Sequence, residues 1–203
     1  MSDPRQESPL AGFLSDTAAG DTGSPGVILT ERPFLGYVNL RGDAGDARFP
    51  AAVEGVLGVS IPVASNTIAE GEDITVCWMG PDEWLVILPP GAQTQCVTDL
   101  SQALGQLHAS AVDTTGGYTL VNVAGGRRRE LLAKGCTLDL HPRSFSPGQC
   151  AQTNLGKAGV LLIPRGDASD AESFDVIVRR SFADYLGVWL EHSGREYGLR
   201  IIA

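Results

Sequence analysis

The run YTLVNVAGGRRRE, residues 118–130, sets an apolar stretch, a glycine pair and three arginines in a row. That order suits anion chemistry: glycines admit a phosphate close to the backbone, a helix start points free amides at it, and guanidinium groups grip oxyanions in pairs. The spacing of the known cradles is absent. A dinucleotide fingerprint needs G-x-G-x-x-G between strand and helix, and a P-loop needs four residues and then Gly-Lys-Ser/Thr. Here arginine stands where the third glycine belongs, and Lys134-Gly135 reverses the P-loop order. Arg127, Arg128 and Arg129 also oppose the dipole of the helix they open. A bound anion or a partner carboxylate would relieve that conflict; a solvated face with Glu130 as partial neutraliser is the simpler reading. The residues leave both open.

Other candidates are few. His108 and His192 fall near helix ends, where the dipole favours them without any function, and His141 precedes Pro142 in a loop. Four cysteines, Cys77, Cys96, Cys136 and Cys150, form no C-x-x-C pair. Cys136, His141 and Cys150 match no usual zinc spacing and lack a fourth ligand, so isolated buried thiols are expected. No local signature supports a Cys-His nucleophile pair. Asp82-Glu83 and Asp113 lie at turns, where acidic side chains satisfy backbone amides. Trp78 and Trp84 flank Gly80-Pro81-Asp82 and are expected to meet across a hairpin. No catalytic, cofactor-binding or metal-binding residue is expected from these patterns.

The elements that carry these residues follow from periodicity. FLGYVNLRG (34–42) reads as a strand, ARFPAAVEGVLG (47–58) as a short helix, and DITVCWM (73–79) with EWLVILP (83–89) as a hairpin. Val97, Leu100, Leu104 and Leu107 share one face of a helix over 92–108, and ASAVDTT (109–115) returns to strand. The second half repeats the order: strand 118–123, helix 126–135, hairpin 149–155 and 158–164, strand 174–180 and helix 181–194. The expected fold is α+β, two similar βαββαβ halves over 31–115 and 116–203, each a ferredoxin-like sheet covered by helices. Residues 1–30, polar with scattered Phe13, Leu14, Val27, Ile28 and Leu29, read as an extended arm ordered on a partner surface.

The net charge of −9 repels nucleic acid and anionic membrane surfaces. No apolar run approaches the roughly 20 residues that span a bilayer. The opening MSDPRQESPL has no basic segment followed by an apolar one, so a cytoplasmic protein with reduced thiols is expected.

LGYVNLRGD (35–43), WMGPDEWLVILP (78–89), residues 111–163 and FDVIVRRSFADYLGVWLEHSG (174–194) together resemble the gamma subunits of heterotetrameric sarcosine oxidases. Those subunits are in turn similar to the folate-binding fold of the glycine-cleavage aminomethyltransferases. The resemblance covers about 31–200 and implies that the glycine pairs are turns of a shared fold. Where aminomethyltransferases carry acidic residues after the glycines of NLGKAGVLLI (154–163), it aligns Leu161 and Leu162, which can neither move a proton nor accept an amine hydrogen bond. Lys134-Gly135-Cys136 resembles the cysteine motif of related iron-sulfur repair proteins, without the Gly-Gln-Glu that follows there. The resemblance therefore implies a structural subunit without a site of its own. Its partners would be alpha, beta and delta subunits. FAD, FMN, NAD, tetrahydrofolate and zinc would be held by those partners, in a complex that demethylates sarcosine to glycine with hydrogen peroxide and 5,10-methylenetetrahydrofolate. A stand-alone folate-binding aminomethyltransferase or an iron-sulfur repair protein is the alternative.

Overall fold

The computed structural model describes residues 6–11, 25–167 and 171–202. In chain order the elements are β1 (Val27–Arg32), β2 (Gly36–Arg41), α1 (Arg48–Leu57), β3 (Ile68–Glu70), β4 (Thr75–Gly80), β5 (Glu83–Leu88), α2 (Gln93–Leu104), β6 (Ser110–Asp113), β7 (Tyr118–Ala124), α3 (Arg128–Ala133), β8 (Ala151–Leu155), β9 (Ala158–Gly166), β10 (Ala171–Arg179), α4 (Arg180–Gly194) and β11 (Leu199–Ile202). They divide into two units, one of Leu35–Gly116 with Gly148–Cys150, the other of the residues up to Phe34, Gly117–Pro147 and those from Ala151 onward. Both are α+β.

In the unit built on 35–116 the sheet runs β3-β4-β5-β2-β6, antiparallel throughout. Alternation along β2 turns Val38 and Leu40 to the helices, and α1 answers with Phe49, Val53 and Leu57 at helical spacing. Gly58, at φ 68°, ends that helix in the left-handed conformation glycine adopts freely. Cys96, Leu100 and Leu104 do the same from α2. Trp84 is the centre of this core: fully buried, its ring 5.5 Å from that of Phe49, its indole N–H donating to the Pro62 carbonyl at 2.7 Å. Trp78 is its register partner across the hairpin, as the sequence implies.

The other sheet runs β11-β1-β7-β10-β9-β8. Matching the units element by element pairs β7 with β2, β8 with β3, β9 with β4, β10 with β5 and β11 with β6. The strand orders then coincide except that β1 is inserted between β7 and β11. It runs antiparallel to β7 and parallel to β11, so β7 and β11 keep opposite directions, as β2 and β6 do. Both halves are therefore ferredoxin-like, and the second has been widened by one strand.

Residues 27–30, expected as part of an extended arm, are strand, while residues 1–5 and 12–24 of that arm lie outside the described residues. Val27 and Leu29 are core residues of β1, Leu29 between Val123 and Ile201 on the flanking strands and Val27 beside Leu199. Leu10 is 1% exposed in the same core, and Ser8 donates its hydroxyl to Glu31. Val27, Ile28 and Leu29 in a polar background lack a readable period, and only the ladder with distant strands makes them β. Phe13 and Leu14 lie outside the described residues. β3 and β11 were not expected, being three and four residues long, and α3 is shorter than the helix read over 126–135.

Candidate functional site

The glycine–arginine turn closes on the protein itself. Gly125 sits at φ 99°, and a Cβ there would lie 2.5 Å from the Gly26 carbonyl oxygen. The Arg127 amide donates to that same oxygen at 2.8 Å, and Gly26 in turn donates to Tyr197 at 2.9 Å. The close backbone approach that glycine permits is thus taken by the segment entering β1. Gly126 faces open space.

The three guanidinium groups diverge. Arg127 pairs with Glu130 at 3.0 Å, Arg128 donates to the Gly125 carbonyl at 3.0 Å, and Arg129 donates to the Leu140 carbonyl while lying 4.9 Å from the centre of the Phe174 ring. Glu130 is held below the usual carboxylate range, first by its own backbone amide and then by Arg127. A shared anion cradle would need these heads to converge; each instead has an intramolecular acceptor.

Beyond α3, Lys134 donates to Glu196 and to the Ser193 carbonyl and stands 4.4 Å over the Tyr197 ring, with Glu196 raising its pKa. Gly135 is required by packing: a Cβ would fall 2.5 Å from the Trp189 ring and 2.8 Å from the Gly156 nitrogen. Cys136 is half-buried with its sulfur 3.6 Å from the Thr153 hydroxyl. His141 is exposed, its ring nitrogen accepting from the Arg143 amide at 3.2 Å. Cys150 is buried in the other unit, 3.5 Å from the Thr67 carbonyl and 3.6 Å from that of Trp78, with its pKa lowered chiefly by the Cys77 thiol against the opposing effect of burial. Among the described residues no three His, Cys, Asp or Glu side chains are grouped to hold a metal.

Asp113 caps its turn through the Thr115 amide at 2.9 Å, as expected. Asp82 and Glu83 differ from expectation: Arg41 lies 3.6 Å from Asp82 and 2.6 Å from Glu83, which also accepts from Asn39 at 2.7 Å. Arg41 and Asp82, with Asp43, His108 and Ser110, line an open cleft of about 340 Å³. His108 is exposed there, past the end of α2, and His192 is exposed in the last turn of α4.

The buried carboxylates are what the sequence did not announce. Asp175, 1% exposed, accepts from Arg165 at 2.7 Å and Asn122 at 2.8 Å, with Arg32 at 3.9 Å. Glu31 accepts from the Thr119 hydroxyl at 2.7 Å as well as from Ser8. For Asp175 the available signal was an acid inside the apolar strand run FDVIV, residues 174–178; Glu31, between Thr30 and Arg32, had none. Both are internally satisfied pairs of the kind that hold a fold in register. On β9, Leu161 and Leu162 are 5% and 1% exposed and face Gln152 and Ala151 on β8. A leucine side chain can neither move a proton nor accept a hydrogen bond.

Known proteins agree with this geometry. The model of the sarcosine oxidase, gamma subunit family matches residues 41–196. The sarcosine oxidase subunit gamma of Corynebacterium sp. (strain P-1) is 30% identical over 98% of this chain and 94% of its own length, and that of an Arthrobacter species 30% identical over 95% and 92%. A chain of the heterotetrameric sarcosine oxidase from Corynebacterium sp. U-96, solved with pyrrole 2-carboxylate, superposes with a TM-score of 0.85 at 28% identity, covering 98% of this chain and 99% of that one. An aminomethyltransferase of Saccharopolyspora erythraea is 25% identical over 93% of this chain but 52% of its own length. The glycine cleavage aminomethyltransferase of Bartonella henselae shares the fold, with a TM-score of 0.61 at 10% identity over 88% of this chain and 48% of that one. The chain belongs to the sarcosine oxidase gamma subunit family.

Proposed function

We propose that the chain is a non-catalytic structural subunit of a heterotetrameric sarcosine oxidase, assembled with alpha, beta and delta subunits in the cytoplasm. The complex would oxidise sarcosine with oxygen to glycine and hydrogen peroxide, the methyl carbon passing to tetrahydrofolate as 5,10-methylenetetrahydrofolate. FAD, FMN, NAD, folate and zinc would belong to the partner chains. One observation carries the reading: the superposition onto a chain of a heterotetrameric oxidase runs end to end, at 98% of one chain and 99% of the other. Its non-catalytic character is supported by the apolar pair Leu161 and Leu162 on β9 and by arginines spent on internal acceptors. No helix among the described residues is long and apolar enough to cross a membrane.

The test is to express alpha, beta and delta chains with and without this one and to measure sarcosine-dependent peroxide formation and sedimentation. Loss of stable assembly without it is expected. A stable, fully active three-subunit enzyme overturns the reading. Likeness to a curated aminomethyltransferase over 93% of the chain favours, as a second reading, a stand-alone folate-binding protein.

A further inference from the structure

Helix α4 is apolar on two sides. Ala183, Leu186, Leu190 and Gly194 face the core of its own unit. Phe182, Tyr185 and Val188, exposed by 43%, 37% and 53%, form a second stripe outside it, with Trp189 half-buried between that stripe and the core. Of the seven large apolar side chains standing exposed among the described residues, three are on this one helix. Aromatic residues at this density on a surface mark an interface more than scattered exposure does.

The stripe is held in place before anything docks. The Lys157 amide donates to the Tyr185 hydroxyl at 3.0 Å, and Trp189 packs on Gly135 and Gly156. Binding would therefore cost little side-chain ordering. Its border is basic at the start of the helix, where Arg179, Arg180 and Lys157 are exposed and the first turn holds no acid, while Asp184 and Glu191 lie beside Val188. Arg180 donates to the Glu7 carbonyl at 2.8 Å and Arg179 lies 5.7 Å from the Tyr118 ring, but among the described residues neither has a carboxylate partner. Two cations at the positive end of a helix dipole call for an anionic neighbour.

We infer that the outer stripe of α4, centred on Tyr185 and Val188, is a docking surface for another subunit of the oxidase, one presenting an apolar ridge edged with Asp or Glu. This rests on the subunit reading above. A different chain is the occupant because the solved relative matched end to end is a component of a heterotetramer.

The experiment places p-benzoylphenylalanine at position 188 of the full chain, co-expresses it with the other three subunits, irradiates the complex and identifies the linked peptide. A link to another subunit, at a site flanked by acidic residues, is the expected result. A link to a second copy of this chain, or none in an assembled complex, overturns the proposal. In parallel, Val188→Glu should reduce co-purification with the partners at least tenfold, and Arg179→Glu should weaken it most at low salt, the defect shrinking as added salt screens the new repulsion, while circular dichroism of each purified variant stays unchanged. If Val188→Glu does not fold, the cross-link and Arg179→Glu decide. Failure of the wild-type chain to co-purify would instead remove the subunit reading; normal assembly of the wild type and of Val188→Glu alike removes only this surface.

Discussion

Gly125 and Gly126 are neighbours with opposite needs. Gly125 combines a positive φ with a backbone oxygen 2.5 Å from where a Cβ would sit, whereas Gly126 has nothing within 4 Å. Gly125→Ala is expected to lose about 2–3 kcal/mol from strain plus displacement of β1, and Gly126→Ala to stay within about 0.5 kcal/mol, as read from urea melts. A phosphate cradle would need both. Asp175 makes the second case: buried at 1%, it accepts from Asn122 at 2.8 Å and Arg165 at 2.7 Å, and Asp175→Ala should cost about 1–3 kcal/mol because the Asn122 amide loses its acceptor and Arg165 loses one of its partners. Cys96 titrates the third. Burial, with Asp99 assisting, pushes its thiol up to about 11. The unfolded chain therefore releases this proton first, so stability falls as pH rises from about 9 towards 11 and is unaffected below that range. Melting temperatures of wild type and Cys96→Ala, compared from pH 7 to 11, should converge as pH rises.

At the scale of elements, β1 decides the second unit. β11 has β1 as its ladder partner, so removing β1 leaves Leu199 and Ile201 without the strand that buries them. Leu10 lies in the same core from a segment far upstream of the strand's own ladder. Leu10→Ala should cost about 2–4 kcal/mol as a buried large-to-small change. Truncation to residue 33 should abolish cooperative unfolding of this unit, while the chain cut at residue 25 keeps it at lower stability; differential scanning calorimetry reads both. A tail that merely wraps a partner would leave the isolated chain unchanged in all three variants.

For the whole molecule, titration of the purified chain with tetrahydrofolate separates the two functional readings. Under the structural-subunit reading proposed above no stoichiometric binding heat is expected. Tight one-to-one binding would favour the stand-alone folate protein. The net charge of −9 bears on assembly rather than fold: it makes the cluster of Arg179, Arg180 and Lys157 at the start of α4 locally exceptional, and adding salt should weaken contacts made there.

Sequence alone determined the α+β class, the repeated element order and most of the strands and helices, because alternation in β2 or β5 and four-residue spacing in α1, α2 and α4 are local signals. It also determined that no standard nucleotide fingerprint is present, since that depends on spacing along the chain. Tertiary structure decided what depends on distant neighbours. Val27 and Leu29 became core only through strands nearly a hundred residues or more away in the chain, Gly125 became indispensable only because Gly26 passes beside it, and Asp175 became a buried ion pair only once Arg165 and Asn122 closed around it. The three adjacent arginines were sent to three separate acceptors by the turn of the helix and the folding of Leu140 and Phe174 around Arg129. Adjacency in sequence determines that such charges repel; packing alone decides where each one points.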